Sequence, residues 1–475
     1  MMMSEAMGLG ATDEFMEVDM KSIEENRGGS RRRRHWLLVL RVLPLLVFTM
    51  ACDSLLDVDV PGFVTVDALD DPALAEILVL SAQGDFECGF VDYMRYPGQW
   101  FELFLNMSGS RPDALSGLRS SLVDVYADPC DSGTGPVWSV MQLPRQQAQR
   151  AVFYIEEVYP AGSVEDLDFL VAKSRMYEGF SIQLLGEMFC GVTFDGGPLM
   201  TRAETYAEAD TRFAEAMTRA SAAIAAGSRV SEAQAVLDGA RVGRARAHLY
   251  MGNTANVLTY AGAVTAGFEY LATYDLTPGR RNNRIAEADL GDGSMMPHEH
   301  YHELRIEADG TLTQSSATGI SDPRVPIDAP AGELGQRGTL QRRLQQKYLS
   351  EGSDIPFATW REAQLMLAEV QQGQAAVDII NNLRLSTQGL APEIDDSAWP
   401  LPTYTGGQSV AQVDFLVKEE RRRELWMQGV QPGDKLRWAG DNYPDWEAQD
   451  QYGQAVGPGR CWPIPFLEVT SNSNL

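Results

Sequence analysis

The segment HEHYHE gathers three of the chain's five histidines, His298, His300 and His302, at a spacing that lines them along one face of an extended backbone. Imidazoles placed two residues apart suit zinc or copper, and equally suit a solvated loop whose charge changes at about pH 6.5. A second constellation lies on VAQVDFLVKEERRRELWMQG, where a 3.6-residue period puts Val413, Leu416, Val417, Glu420, Glu424 and Met427 on one helical face. Carboxylates on a core-facing stripe need cationic partners. Arg423 lies three and four residues from Glu420 and Glu419, and Arg421, Arg422 and Arg437 can reach other helices. A carboxylate pair working as acid and base needs a separation of about 5 to 9.5 Å across a cleft. Adjacent turns of a buried helix do not offer that, so the pattern reads as a structural ion-pair network.

No competing motif supplies an enzyme's machinery. G-x-S-x-G and the P-loop are absent, the H-E-x-x-H spacing of His298 to His302 falls in a segment read as extended rather than on the helix that motif needs, and the Asp-Gly cluster from Asp289 to Gly293 does not complete a calcium loop. The chain reads as a non-enzyme with no cofactor and no assigned metal. Its five cysteines divide into Cys52 and an even set, Cys88, Cys130, Cys190 and Cys461. Two disulfides are plausible in a compartment that permits them, with three pairings open; Cys88 with Cys130 encloses a short, loop-like segment and is favoured. A zinc site is disfavoured because there is no C-x-x-C and no His pair near a cysteine.

Cys52 stands apart because of what precedes it. The basic stretch RRRRHWLLVLR leads into the apolar run VLPLLVFTMA and then the cysteine. Ten apolar residues are too few to span a bilayer, which takes about 20. A charged segment, a short apolar run and a small residue before the cut make an export signal, with Cys52 read as the lipidated first residue of the mature chain. Arg33 and Arg34 also permit a twin-arginine route. Met1 to Ser30 is an acidic prelude that such a signal does not need, read as an extension from a start codon set too early. Residues 1–51 carry seven basic and seven acidic side chains, so the remaining 424 residues keep the whole net charge of −27. Nucleic acid is thereby disfavoured as a partner, and attachment to a membrane falls to acyl chains rather than to surface charge.

The elements that must position these groups are mostly helices. After a tether, Asp71-Pro72 opens a short helix from Ala73 to Ser81. Residues 84–139 mix aromatics with Gly, Pro and Asp and read as loops and broken helices. Helical hairpins follow over about 142–267, pairing Gln142–Tyr159 with Asp166–Phe189, then a helix stopped by Gly227 with one starting near Ser231. In the last of these, Val236, Ala240, Gly243, Ala247 and Tyr250 form a stripe with small residues at its middle, where a neighbouring helix can approach closely, as in tetratricopeptide packing. Another hairpin runs from Pro356 to Gln371 and Ala375 to Ser386, within a helical region of about 356–430. The intervening residues, about 268–355, read as a large insertion with short strands such as His302–Ile306, and about 392–410 as a further loop.

At this point the chain resembles the SusD/RagB family of outer-membrane nutrient-binding lipoproteins. The start CDSLLDVDVPGFVTVDAL is similar to that family's mature N-terminus, and VKEERRRELWMQG to its late acidic and basic helix. ATWREAQLMLAEV followed by AAVDIINNLRLSTQG resembles its Ala-Glu helix and the Asn-x-x-Arg helix after it, and CWPIPFLEVTSNSNL its ending. The segment Val430 to Asp434 departs from the family's usual residues before that Asp. The resemblance covers Cys52 to Leu475 and implies one mainly α domain over 52–475, with tetratricopeptide-like helical hairpins and a loop-rich, partly β half that binds ligand. It also implies an outer-membrane, lipid-anchored, cell-surface protein that captures a nutrient, most commonly a glycan, for a SusC-like TonB-dependent β-barrel.

Sugar capture calls for aromatic faces against pyranose rings with amides and carboxylates around them. The densest aromatic run in sequence read as loop is Phe90, Tyr93, Tyr96, Trp100 and Phe101. Tyr93 and Trp100 are therefore the expected ligand-binding residues, with Tyr301 and Trp399 from the two insertions. Core packing is the competing role for each. Two other functions compete with nutrient loading. A tetratricopeptide-like assembly scaffold would lack aromatic platforms in its loop half, and a lipid-anchored polysaccharide hydrolase would need two carboxylates converging on a cleft.

Overall fold

Asp71 accepts a hydrogen bond from the Ala73 amide at 3.0 Å, and Pro72 opens a 3-10 turn that runs directly into helix α1, Ala75–Trp100. The computed structural model describes residues 69–107, 137–276, 282–291, 293–336, 338, 340–392, 394–441, 443–444 and 461–475, all within the unit Val66–Leu475. Helix α1 corrects the expectation of loops and broken helices from residue 84 onward: through Trp100 the chain is one helix. Val79, Ala82, Phe86, Phe90 and Tyr93 recur every three or four residues and are all buried. Gly89 is a contact rather than a break, since a Cβ there would lie 2.4 Å from the Val140 carbonyl oxygen of the next helix. Pro97 falls in the last turn, where its carbonyl accepts from the Phe101 amide.

The hairpins follow the sequence reading closely. Helix α2 (Val137–Phe153) ends in a π turn, Tyr154–Val158, and packs on α3 (Leu167–Met188). Helix α4 (Arg202–Ala226) starts at a capping box between Thr201 and Glu204, and stops at Gly227, whose φ of 75° ends it. Helix α5 (Val230–Tyr250) packs against α4 through its small-residue stripe: a Cβ on Gly243 would lie 2.3 Å from the Phe213 ring of α4. Helix α6 (Thr254–Ala261) continues the array and touches α7 (Trp360–Gln371). That contact makes the hairpins continuous in space although about a hundred residues separate them in the chain. Helix α7 pairs with α8 (Gly373–Leu385), and both pack on α9 (Val410–Glu424). Two short helices follow, α10 (Gln431–Arg437) and α11 (Phe466–Ser471).

The insertion between α6 and α7 forms small antiparallel sheets. Strand β1 (Phe104–Asn106) pairs with β3 (Met295–Pro297), and β2 (Glu269–Ala272) with β9 (Ile355–Thr359). Strand β4 (Leu304–Ile306) lies between β5 (Leu312–Gln314) and β6 (Ile320–Ser321), and β7 (Ile327–Asp328) pairs with β8 (Leu344–Gln345). The helix expected from Pro356 begins at Trp360 instead. Residues Ile355 to Thr359 are a wholly buried strand, and Thr359 caps α7 by accepting from the Glu362 amide. From β9, Phe357 inserts among the helices, with ring centroids 5.0 Å from Phe86, 5.0 Å from Phe180 and 5.3 Å from Tyr270. The two halves therefore share one core. Among the described residues no helix is long and apolar enough to cross a membrane.

Candidate functional site

Helix α9 joins the helical array to the loop-rich half through buried charge. Glu420 receives the guanidinium of Arg324, from the insertion, at 2.6 Å and pairs with Arg384 of α8. Glu424 pairs with Arg361 of α7. Arg324 also forks onto Asp322 at 2.9 and 2.8 Å, and Asp322 accepts from Arg423 at 3.2 Å. Glu419 takes Arg422 at 2.7 Å and Arg423 at 2.8 Å, while Arg421 meets Asp434 of α10 at 3.0 Å. Every one of these groups is buried. The anticipated polar network is thus present, with one change: Glu420 turns to Arg324 and Arg384 rather than to Arg423.

Burial alone would drive these acids toward the neutral form, but the guanidinium groups outweigh it. Arg422 and Arg423 hold Glu419 down at about 2, and Arg324 and Arg384 hold Glu420 below the usual range. The remaining guanidinium donors grip loop carbonyls. Arg423 donates to Arg305 O at 2.9 Å and Thr313 O at 3.1 Å, and Arg384 to Gly310 O at 2.7 Å and Pro402 O at 2.8 Å. Both loops that the sequence suggested for binding are therefore fastened to α8 and α9 by charge-assisted hydrogen bonds. Sequence reasoning found the α9 residues but gave no ion-pair role to Asp322, Arg324, Arg361 and Arg384, although Arg361 and Arg384 lie in the two helical segments that carry the family resemblance.

The aromatic residues expected to meet ligand are placed otherwise. Tyr93, Trp100 and Tyr301 are 0%, 5% and 1% exposed and belong to the main core. The physical reason is that the segment carrying the first two is helix α1, so its aromatics point in sequence to the array and not to solvent. Tyr93 donates to Glu187 at 3.4 Å, and Tyr301 lies against Trp426 with Arg422 over its ring. Trp399 is half-buried against the α7–α8–α9 cluster. These four are not brought together as a stacking platform.

The histidine segment is spent internally. His298 Nδ1 accepts from the His300 amide, His300 Nε2 donates to Glu102 at 2.9 Å, and His302 Nε2 donates to Pro297 O at 2.9 Å. Burial outweighs the pull of Glu102 and lowers the His300 pKa. Among the described residues no three His, Cys, Asp or Glu side chains converge to hold a metal. A groove of about 440 Å³ lies between the π turn, α3 and α4, and its charged walls pair with one another: Arg175 with Glu215 at 2.8 Å, and Arg219 with Glu156.

Cys190 and Cys461 form a disulfide, tying the end of α3 to the segment before α11. Cys88 is disulfide-bonded too, and Cys130, the partner expected for it, lies outside the described residues, as does Cys52.

No protein-family profile matches the chain, and no curated protein matches it. Solved structures do. A SusD-like protein from Bacteroides fragilis, 13% identical, superposes with a TM-score of 0.57 over 87% of this chain and 98% of that one. A SusD-like carbohydrate binding protein from the same organism, 14% identical, gives 0.55 over 86% and 99%. A chitin-binding SusD homologue from Flavobacterium johnsoniae, 12% identical, gives 0.57 over 83% and 94%. The fold is the SusD-like one: a mainly helical array of tetratricopeptide-like pairs with a loop-rich, partly β half, as the sequence resemblance implied.

Proposed function

We propose that this protein is a lipid-anchored outer-membrane binding protein that captures a glycan at the cell surface and delivers it to a SusC-like TonB-dependent β-barrel. The observation that carries this reading is the SusD-like fold, which extends over nearly the whole length of neighbours described as carbohydrate binding and chitin-binding. The signal-like segment ending at Cys52 supports the anchor, with Cys52 as the lipidated residue. A pairing of Cys88 with Cys130 belongs to the same reading. The role is binding and not hydrolysis: the buried Glu419, Glu420 and Glu424 of α9 are each locked to arginines, which leaves none of the three in a position to move a proton at a sugar.

The test is isolation of the native protein from gently solubilised membranes. A stoichiometric TonB-dependent β-barrel in the complex is the expected result. Membrane-bound, intact protein with no such barrel would overturn the delivery role, and Cys52→Ser that stays with the membrane would overturn the anchor.

A further inference from the structure

Resting on the glycan-binding reading, we infer that Phe415, Tyr443, Asp414 and Asp441 form a subsite that stacks one neutral pyranose ring. Phe415 sits on the solvent side of α9 and is 48% exposed, and its ring meets Tyr443 edge-on at 5.8 Å. Tyr443 in turn meets Trp438 at 5.8 Å, so the aromatic surface is two rings, Phe415 and Tyr443, backed by a buried indole. Lys418 lies 5.7 Å from the Tyr443 centroid and donates to Asp414 Oδ2 at 2.8 Å and Asp441 Oδ2 at 2.6 Å. Those carboxylates are 44% and 66% exposed, which leaves acceptor capacity facing solvent on the rim of the ring surface.

The chemistry matches a sugar. A pyranose presents an apolar C–H face that packs on an aromatic ring, with hydroxyl donors around its edge for carboxylates to accept. The surface is also rigid. The Tyr443 hydroxyl donates to Glu419, which is fixed by Arg422 and Arg423, so the platform stands on the charge clamp beneath the insertion and little order must be gained on binding. Two aspartates against one lysine leave the rim net negative, on a chain of net charge −27. A uronic acid or sulfated ring would be repelled there, which restricts the subsite to neutral sugars.

Affinity electrophoresis of the full-length protein in detergent, in gels containing amylopectin, mixed-linkage β-glucan, xylan or polygalacturonate, together with calorimetry on the N-acetylglucosamine hexamer, tests this. One or more neutral glycans should bind. Phe415→Ala should weaken that binding by about tenfold with an unchanged unfolding temperature, and Phe415→Trp should retain it. Neutral-glycan binding that Phe415→Ala leaves intact would overturn the subsite while the glycan reading stands. Binding confined to polygalacturonate would overturn the neutral-ring assignment, and binding to none of these would count against the glycan reading itself and the subsite with it.

Discussion

Trp100 shows how one residue type carries opposite meanings at two burial levels. On a loop it would be a sugar platform; at 5% exposure in the core it is packing volume. Trp100→Ala should therefore cost about 3 to 5 kcal/mol in urea or thermal unfolding. Glycan affinity measured well below the transition should stay the same. Glu187 is the other informative residue. It is wholly buried, its Oε1 has no hydrogen-bond partner, and Arg246, 3.9 Å away, is already forked onto Glu362 at 2.7 Å through both nitrogens. Burial pushes its pKa up to about 8, against the pull of Arg246. The folded state thus holds a proton that the unfolded chain releases at about 4.5. Its contribution is complete below that pH, is lost as pH rises toward 8, and is constant beyond. Glu187→Gln should remove this slope, gaining on the order of a few kcal/mol over wild type at pH 9 relative to pH 4 in chemical denaturation.

At the level of elements, the α9 clamp explains why loops so poor in regular structure are held in place. Arg384, itself wholly buried, joins α8 to Glu420 and to carbonyls of two loops. Removing it takes from the buried Glu420 one of its two guanidinium partners and leaves two loop carbonyls without their donor, so Arg384→Ala should cost about 3 to 5 kcal/mol. Hydrogen exchange should show the larger increase in β4, β5 and the loop at Pro402, and little change in α4 and α5. Much of this was legible: the helix period around Glu420 and Glu424 demanded cations, and Arg384 belongs to the Asn-x-x-Arg segment singled out in the sequence. What was illegible was which cation meets which acid, because Arg324 lies 96 residues from Glu420 and only the fold brings them together. The same limit applies to α1, whose glycines and proline resemble loop punctuation until Val140 is seen pressed against Gly89.

Across the whole molecule, the Cys190–Cys461 bond closes 271 residues of chain and anchors the C-terminal segment to the helical array. Around it, Trp462 bridges to Phe189, and Asn472 and Asn474 donate to the carbonyls of Gly197 and Gly196. A Cys190→Ser, Cys461→Ser double variant should lose about 2 to 5 kcal/mol of stability under oxidising conditions. Under strong reductant the difference from wild type should shrink. Failure to see any oxidised-state difference would mean that the side-chain bonds alone hold the ending.

By itself the sequence determined the local facts: the helical hairpins with their caps, the small-residue stripe around Gly243, the partner-seeking acids of α9 and the export-like segment before Cys52. Each of these depends on neighbours within a few turns or on composition. The tertiary structure alone decided which aromatics reach solvent, since Tyr93 and Tyr301 share their residue type with Tyr443 and differ from it in what packs over them. Burial is a property of the assembled layers, and no spacing along the chain encodes it.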